Sequence, residues 1–216
     1  MRIVIAGGHG KIALLLARLL TARGDEVAGF VRNPAHFGDV EATGARPLRL
    51  SLEHTTVDEV AALLDSADAT VFAAGAGPGS GAARKYTVDR DGSVLLADAA
   101  EAAKVPRFVQ ISSAGAGQPV TRGDEVWAAY IDAKTQAEDD LRTRPFDWTI
   151  VRPGSLTDDP ATGLVALREP PGPRGAIPRA DVAAVLATVL SAPNTIGKTL
   201  ELIAGPTPIE AAVAAI

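Results

Sequence analysis

The sequence predicts an α/β fold built on a parallel sheet. Two observations carry that expectation. Short apolar runs alternate with stretches of helical periodicity, the order that repeated strand–helix–strand crossovers produce. A glycine-rich turn, Gly7-Gly8-His9-Gly10, also stands directly between the first apolar run and the first helical stretch.

The elements follow in order. Strand 1 is read over Arg2 to Ala6, and a helix over about Gly10 to Ala22 stops at Arg23-Gly24. Strand 2 covers Glu26 to Val31. Pro34 opens a short helix to about Ala42, and strand 3 covers Arg46 to Leu50. Thr56-Val57-Asp58-Glu59 has the form of a capping box and starts a helix to about Leu64. Strand 4 covers Thr70 to Ala74, and the glycine-rich stretch Gly75 to Gly81 separates it from a helix ending near Lys104. Strand 5 covers Arg107 to Ile111, a helix runs from about Trp127 to Leu141, and strand 6 covers Trp148 to Val151.

Beyond Pro153 the periodicity fades. Residues 153 to 178 are rich in Pro, Gly and Asp and read as loop. A helix resumes from Arg179 to Leu190 and strand 7 covers Thr199 to Ile203. Thr207-Pro208-Ile209-Glu210 then places a cap, a first-turn proline and an acid ahead of a closing helix.

Composition narrows the function. The 216 residues suit one α/β domain over residues 1–216, with a small cap loop at about 153–180 over the substrate. Counts of 21 Lys+Arg and 26 Asp+Glu give a net charge of −5, against a nucleic-acid binder with a basic stripe. With no cysteine there is no thiol nucleophile or Cys-based zinc site, and His9, His36 and His54 lack a metal-ligand spacing, so no metal is expected. No apolar stretch approaches the about 20 residues of a membrane span, and no leader pattern precedes strand 1, so a cytoplasmic protein is expected.

The turn at residues 7–13 has the chemistry of a pyrophosphate cradle. Gly7 turns the chain off the strand, Gly10 lets the backbone approach a phosphate at the helix N-terminus, and Ala13 allows close helix–sheet contact. Strand 2 ends at Val31-Arg32-Asn33, without the acid that would bind the 2′-hydroxyl of NAD. Arg32 instead suits a 2′-phosphate, so NADP is expected over NAD, with NAD still possible.

With these features the sequence resembles the short-chain dehydrogenase/reductase superfamily, most closely its atypical branch near the NmrA-like and biliverdin-reductase-B-like groups. Further matching segments are Val88-Asp89-Arg90-Asp91-Gly92, Arg107 to Ser113, Tyr130-Ile131-Asp132-Ala133-Lys134 and Val151-Arg152-Pro153-Gly154. The resemblance implies a doubly wound, Rossmann-like parallel sheet with a nicotinamide cofactor across the strand C-terminal ends. Gly7, Gly8, His9, Gly10, Lys11 and Ile12 would lie along its pyrophosphate, Arg32 and Asn33 at the 2′-phosphate, and Ala74 and Gly75 beside the adenosine. Pro153, Gly154, Ser155 and Leu156 would lie near the nicotinamide. Where many relatives carry an Asp after strand 3 to contact adenine, this chain has Ser51-Leu52, and Leu52 takes that place.

Tyr130, Lys134 and Ser112 or Ser113 match the family's catalytic tyrosine, lysine and serine. Tyr130 and Lys134 are four apart on a helix and so share a face. A nearby lysine favours phenolate, and the tyrosine can give a proton to a carbonyl oxygen as hydride reaches carbon. Ser113 is slightly preferred over Ser112 as the residue that orients that oxygen, and Lys134 can also reach the cofactor ribose. Arg168, Arg174 and Arg179 are candidates for meeting an anionic substrate, against the plainer reading of solvated arginines. Glu138-Asp139-Asp140 reads as a solvated helix face.

The expected function is an NADP-dependent oxidoreductase acting on a small carbonyl or quinone-type substrate, as a monomer or homodimer. The alternatives are a non-catalytic NADP(H) sensor and, less favoured because the cap is short, a nucleotide-sugar epimerase or dehydratase.

Overall fold

A computed structural model describes residues 1–77, 79–121, 123–172 and 174–216. Its strands are β1 Arg2–Ala6, β2 Glu26–Val31, β3 Arg46–Arg49, β4 Ala69–Phe72, β5 Arg107–Ile111, β6 Asp147–Pro153, β7 Ser155–Thr157, β8 Leu164–Arg168, β9 Ala176–Pro178, β10 Lys198–Ala204 and β11 Thr207–Pro208. Its helices are α1 Lys11–Ala22, α2 Phe37–Glu41, α3 Val57–Leu63, α4 Ala82–Arg84, α5 Asp91–Ala102, α6 Glu125–Arg142, α7 Arg179–Val189 and α8 Ile209–Ala214.

Among the described residues nine strands form one sheet in the order β11-β8-β10-β6-β5-β4-β1-β2-β3. From β10 to β3 every pairing is parallel; β8 runs antiparallel to β10 and to β11. The chain winds outward from β1 through β2 to β3, then returns to β4 on the other flank of β1. Loops leaving β1 and β4 therefore diverge and open a crevice at the strand C-terminal ends, where open α/β sheets bind ligands.

Strand alternation splits the core into two layers. Ile3, Ile5, Val71, Val109 and Val151 pack with α1, α7 and α8 on one face. Val4, Ala6, Phe72, Phe108 and Ile150 pack with α3 and α5 on the other. Both faces of the parallel strands are thus dry, which is why these runs read as nearly continuous apolar segments. The Thr56–Glu59 capping box forms: Thr56 Oγ1 accepts from Glu59 N at 3.3 Å and Glu59 Oε2 from Thr56 N at 3.0 Å. Arg107 is buried at the start of β5. It donates to Thr149, Thr195 and the carbonyls of Asp147 and Val189, tying β5 to β6 and the end of α7; burial pushes its pKa down to about 10.

Several sequence expectations need correction. Strand 4 ends at Phe72, not Ala74, because residues 73–77 peel away to line the crevice. The segment 153–178 is not a plain loop. Leu164–Arg168 is a short apolar strand that finds its partner in the distant β10, and β7 and β9 form a separate parallel ribbon. Gly154 permits that ribbon, since a Cβ there would lie 2.2 Å from the Gly175 carbonyl oxygen. Thr207 is not a helix cap. It pairs with Val165 in β11, and α8 begins after Pro208 without a side-chain cap. The helix after the glycine-rich stretch contains a π-helical turn, Lys85–Arg90, between α4 and α5.

The acidic run on α6 is not uniformly solvated. Asp139 is exposed, but Glu138 is fully buried. It accepts from Arg152 Nε at 2.9 Å and Nη2 at 2.5 Å, and from Arg142 Nη2 at 2.6 Å. The pair fastens the middle of α6 to β6. Replacing Glu138 with Ala would leave the buried Arg152 guanidinium with the longer 4.0 Å contact to Glu201 and is expected to cost about 3 kcal/mol in urea denaturation. Asp139→Ala at the exposed neighbour is expected to cost no more than about 1 kcal/mol.

Candidate active site

The glycine turn is dictated by backbone proximity. Gly7 has φ +82°, and a Cβ on it would lie 2.6 Å from Ala74 Cα, so the turn after β1 rests directly on the loop after β4. Gly8 plays a packing part: its N–H donates to the Phe30 carbonyl at 2.9 Å, and a Cβ would lie 2.7 Å from Gly29 Cα. Gly10 is the N-cap of α1. It supplies no side-chain cap, and the first turn holds no acid, so the helix N-terminus stays open to an anion.

A cavity of about 310 Å³ lies over this turn. His9 and Gly10 line it together with Arg32, Asn33, Leu52, Ala74 and Gly75, all expected at the cofactor. His9 stacks on His36 at 3.8 Å and is hydrogen-bonded to Asp39 at 2.8 Å. Asn33 uses its side-chain oxygen to accept from Ala35 N at 3.1 Å. Arg32, its side chain 62% exposed, has among the described residues one polar side-chain partner, Glu53, at 3.5 Å.

Glu53 is a residue the sequence reading missed. It sits in the same cavity, gripped by Arg84 Nη2 at 2.8 Å and by the Thr87 hydroxyl at 3.0 Å. The Arg84 contact holds its carboxyl below the usual carboxylate range. Its signal was an acid just past Ser51-Leu52, close to where relatives place their Asp.

A second cavity, about 620 Å³, adjoins the first along Ala73 to Ala76. It contains Tyr130, Lys134 and Ser112, with Ile12, Pro153 and Leu156 also on its walls. Lys134 is buried. Its ammonium lies 3.1 Å from Asp89 Oδ1, donates to the Ile111 carbonyl at 3.3 Å, and lies 5.9 Å from the centre of the Tyr130 ring. Asp89 in turn accepts from Ala76 N at 3.0 Å. The π turn presents both Asp89 and Lys85 toward this cavity.

Ser112, rather than Ser113, joins the tyrosine and lysine. Its Oγ is buried and has no partner among the described residues. Ser113 faces a separate cavity of about 290 Å³ with Gly154, Ser155 and Arg174. The alternation along β5 and its exit sends the two serines to opposite sides. Lys11 is engaged elsewhere: its ammonium meets Asp158 at 2.5 Å, and Arg179 meets the same carboxylate at 2.8 Å. The Lys11 contact, aided by Arg179, holds Asp158 below the usual carboxylate range. Arg179 lines the second cavity, while Arg168 lines none of these three.

The residues fit a dinucleotide. Two buried hydroxyls without partners among the described residues, Ser51 Oγ and Ser112 Oγ, each lie in one of the adjoining cavities, and the uncapped helix N-terminus lies at the junction. Among the described residues no cluster suits a metal ion, and no described helix is long and apolar enough to cross a membrane.

Comparison with known proteins agrees with this geometry. A family profile described as NAD(P)H-binding matches residues 7–193. The chain is 32% identical over 214 residues to an uncharacterized sugar epimerase of Bacillus subtilis, YhfK, covering 99% of both chains. A solved Bacillus halodurans protein described as an NAD-dependent epimerase or dehydratase is 34% identical, with TM-score 0.92 and full coverage of both chains. The oxidoreductase ylbE from Lactococcus lactis is 28% identical, with TM-score 0.88, over 100% of this chain and 96% of its own.

The turn itself can be tested. Gly7→Ala places a side chain at positive φ and into the Ala74 backbone. Backbone strain alone is expected to lower unfolding stability by about 1–3 kcal/mol in urea titration. Gly81→Ala, where a Cβ meets nothing within 4 Å, is expected to be near neutral.

Proposed function

The chain belongs to the NAD(P)H-binding family of atypical short-chain dehydrogenase/reductase proteins, and from that premise we propose that it is an NADPH-dependent oxidoreductase reducing a small carbonyl or quinone-type compound. The observation that carries this reading is continuity. Tyr130, Lys134 and Ser112 line one cavity, which opens along Ala73 to Ala76 into the cavity that holds the glycine turn and Arg32.

In this reading Gly7 and Gly10 bring the backbone against the pyrophosphate, and the N-terminus of α1 supplies its partial positive charge. Arg32 pairs with the 2′-phosphate, for which it must give up only a long contact to Glu53. Held there, a reduced nicotinamide would supply the hydride for a substrate carbon. The Tyr130 hydroxyl gives its proton to the carbonyl oxygen, so that a carbonyl becomes an alcohol and a tyrosinate remains to be reprotonated from solvent. The Lys134 ammonium, 5.9 Å from the Tyr130 ring centre, holds its place beside the tyrosine, and the Ser112 hydroxyl donates to the same carbonyl oxygen. In one domain spanning residues 1–216, the small substrate cap at about 153–180 would meet the substrate through Pro153, Leu156 and Arg179, which line the second cavity, while β8 within it belongs to the main sheet. Glu53 supports a second reading for the nucleotide, since a carboxylate in this cavity suits the ribose 2′-hydroxyl of NADH.

Titration with NADPH and NADH, followed by melting temperature, tests the assignment, because a ligand of the native state raises stability with ln(1 + [L]/Kd). NADPH is expected to give the larger shift, and Arg32→Ala to weaken NADPH about tenfold or more while leaving NADH unchanged. No shift with either nucleotide overturns the reading. On a substrate found by carbonyl and quinone screening, Tyr130→Phe is expected to lower kcat by about 10²–10⁴ with the NADPH shift intact. Full turnover in that variant removes Tyr130 from the acid role.

A further inference from the structure

Lys85 is a buried cation that the scheme above leaves unused. It opens the π turn and lines the 620 Å³ cavity, with only 9% of its surface exposed. Its ammonium donates to the Gly77 carbonyl at 3.0 Å and lies 5.6 Å from the centre of the Tyr130 ring. Among the described residues no carboxylate pairs with it.

The neighbouring charges show how unusual this is. Lys134 has Asp89, and Arg179 has Asp158. Asp89 is already shared between Lys134 and the Ala76 N–H, and Asp124, also on the cavity wall, caps α6 by accepting from Trp127 N at 2.8 Å. A charge withdrawn from water ordinarily has an opposite charge beside it, because desolvation alone is costly. One amide carbonyl is a weak substitute. The missing counter-charge belongs on a ligand in the cavity.

The mouth of the cavity adds the second property. Trp127 and Leu156 line it and are 45% and 37% exposed, and the Trp127 ring lies 5.4 Å from that of Tyr130. Large apolar side chains left open beside an internal cation suit a flat apolar body carrying an anionic group.

We propose that Lys85 is the anion-binding residue of this cavity and that the substrate is a planar conjugated carboxylate, held with its carboxylate on Lys85 and its reducible carbonyl at Tyr130. This rests on the oxidoreductase reading above for the fate of that carbonyl, while the carboxylate contact is a property of the apoprotein cavity as well.

The probes are 2-naphthoate and 2-naphthamide, equal in shape and different in charge, titrated calorimetrically into the protein with and without saturating NADPH. The acid is expected to bind at least tenfold more tightly than the amide. Lys85→Met is expected to abolish that preference while melting no lower than the parent, since it removes an unpaired buried charge. Lys85→Arg is expected to keep the preference, which covers the case of a Met variant that does not fold. Equal binding of acid and amide by the parent, or a preference that survives in folded Lys85→Met, overturns the proposal. A protein that ignores both NADPH and NADH but still selects the acid through Lys85 upholds the anion site and overturns the oxidoreductase. One that binds either nucleotide without selecting the acid overturns the anion site and leaves the cofactor assignment standing.

Discussion

Lys134 and Asp89 face each other at 3.1 Å with side chains only 4% and 1% exposed, and most of the site hangs on that contact. A lone ammonium or carboxylate at such depth would be driven toward its neutral form; together, each supplies what the other lost on leaving water. The partners come from two different elements, the π turn and α6. Asp89 also takes the Ala76 N–H, and Lys134 also reaches the Ile111 carbonyl, so the pair reaches the loop after β4 and the end of β5 as well. Four segments distant in sequence are thereby held around one cavity. Tyr130 lies one helical turn from Lys134, so its place follows from the same contact.

The crevice itself has a different cause. Parallel strands feeding outward from β1 in both directions leave a gap at their C-terminal ends. What narrows the gap to nucleotide dimensions is backbone packed on backbone: Gly7 against Ala74 and Gly8 against Gly29. A side chain at Gly7 would force the loops after β1 and β4 apart, and one at Gly8 would lift the same turn off β2. Strand topology thus supplies the opening and the absence of Cβ atoms supplies its width.

Much of this was legible in the sequence because it is local. Short apolar runs between stretches of helical periodicity marked the parallel strands, the glycine turn advertised its own tight geometry, and the four-residue spacing of Tyr130 and Lys134 put them on one face. What escaped depends on contacts across the chain. Strand β8 becomes a strand by pairing with β10, a partner some thirty residues later and invisible to any local window. Glu138 reads as one of three consecutive acids, and only the approach of Arg152 from β6 makes it a buried residue. Glu53 and Lys85 look like ordinary polar residues in a loop and a helix until the fold brings them to cavity walls. The choice between Ser112 and Ser113 turned on how β5 exits the sheet, a matter of one residue's rotation.

The charges along the joined cavities then have a common logic. Acids near the site are assigned to particular cations: Glu53 to Arg84, Asp89 to Lys134, Asp158 to Lys11 and Arg179. Among the described cations on these walls, two lack a firm counter-charge. Arg32 has a contact of 3.5 Å at the end of the first cavity, and Lys85 has only a carbonyl in the second. They differ in burial, and the difference matters. Arg32, its side chain 62% exposed, is solvated without any ligand, so it imposes little cost on the protein. Lys85 is only 9% exposed, so the proposed ligand carboxylate would matter more to it than a phosphate to Arg32. An elongated ligand pair bearing one anion at each end would neutralise both, with the hydride-accepting carbon between them beside Tyr130.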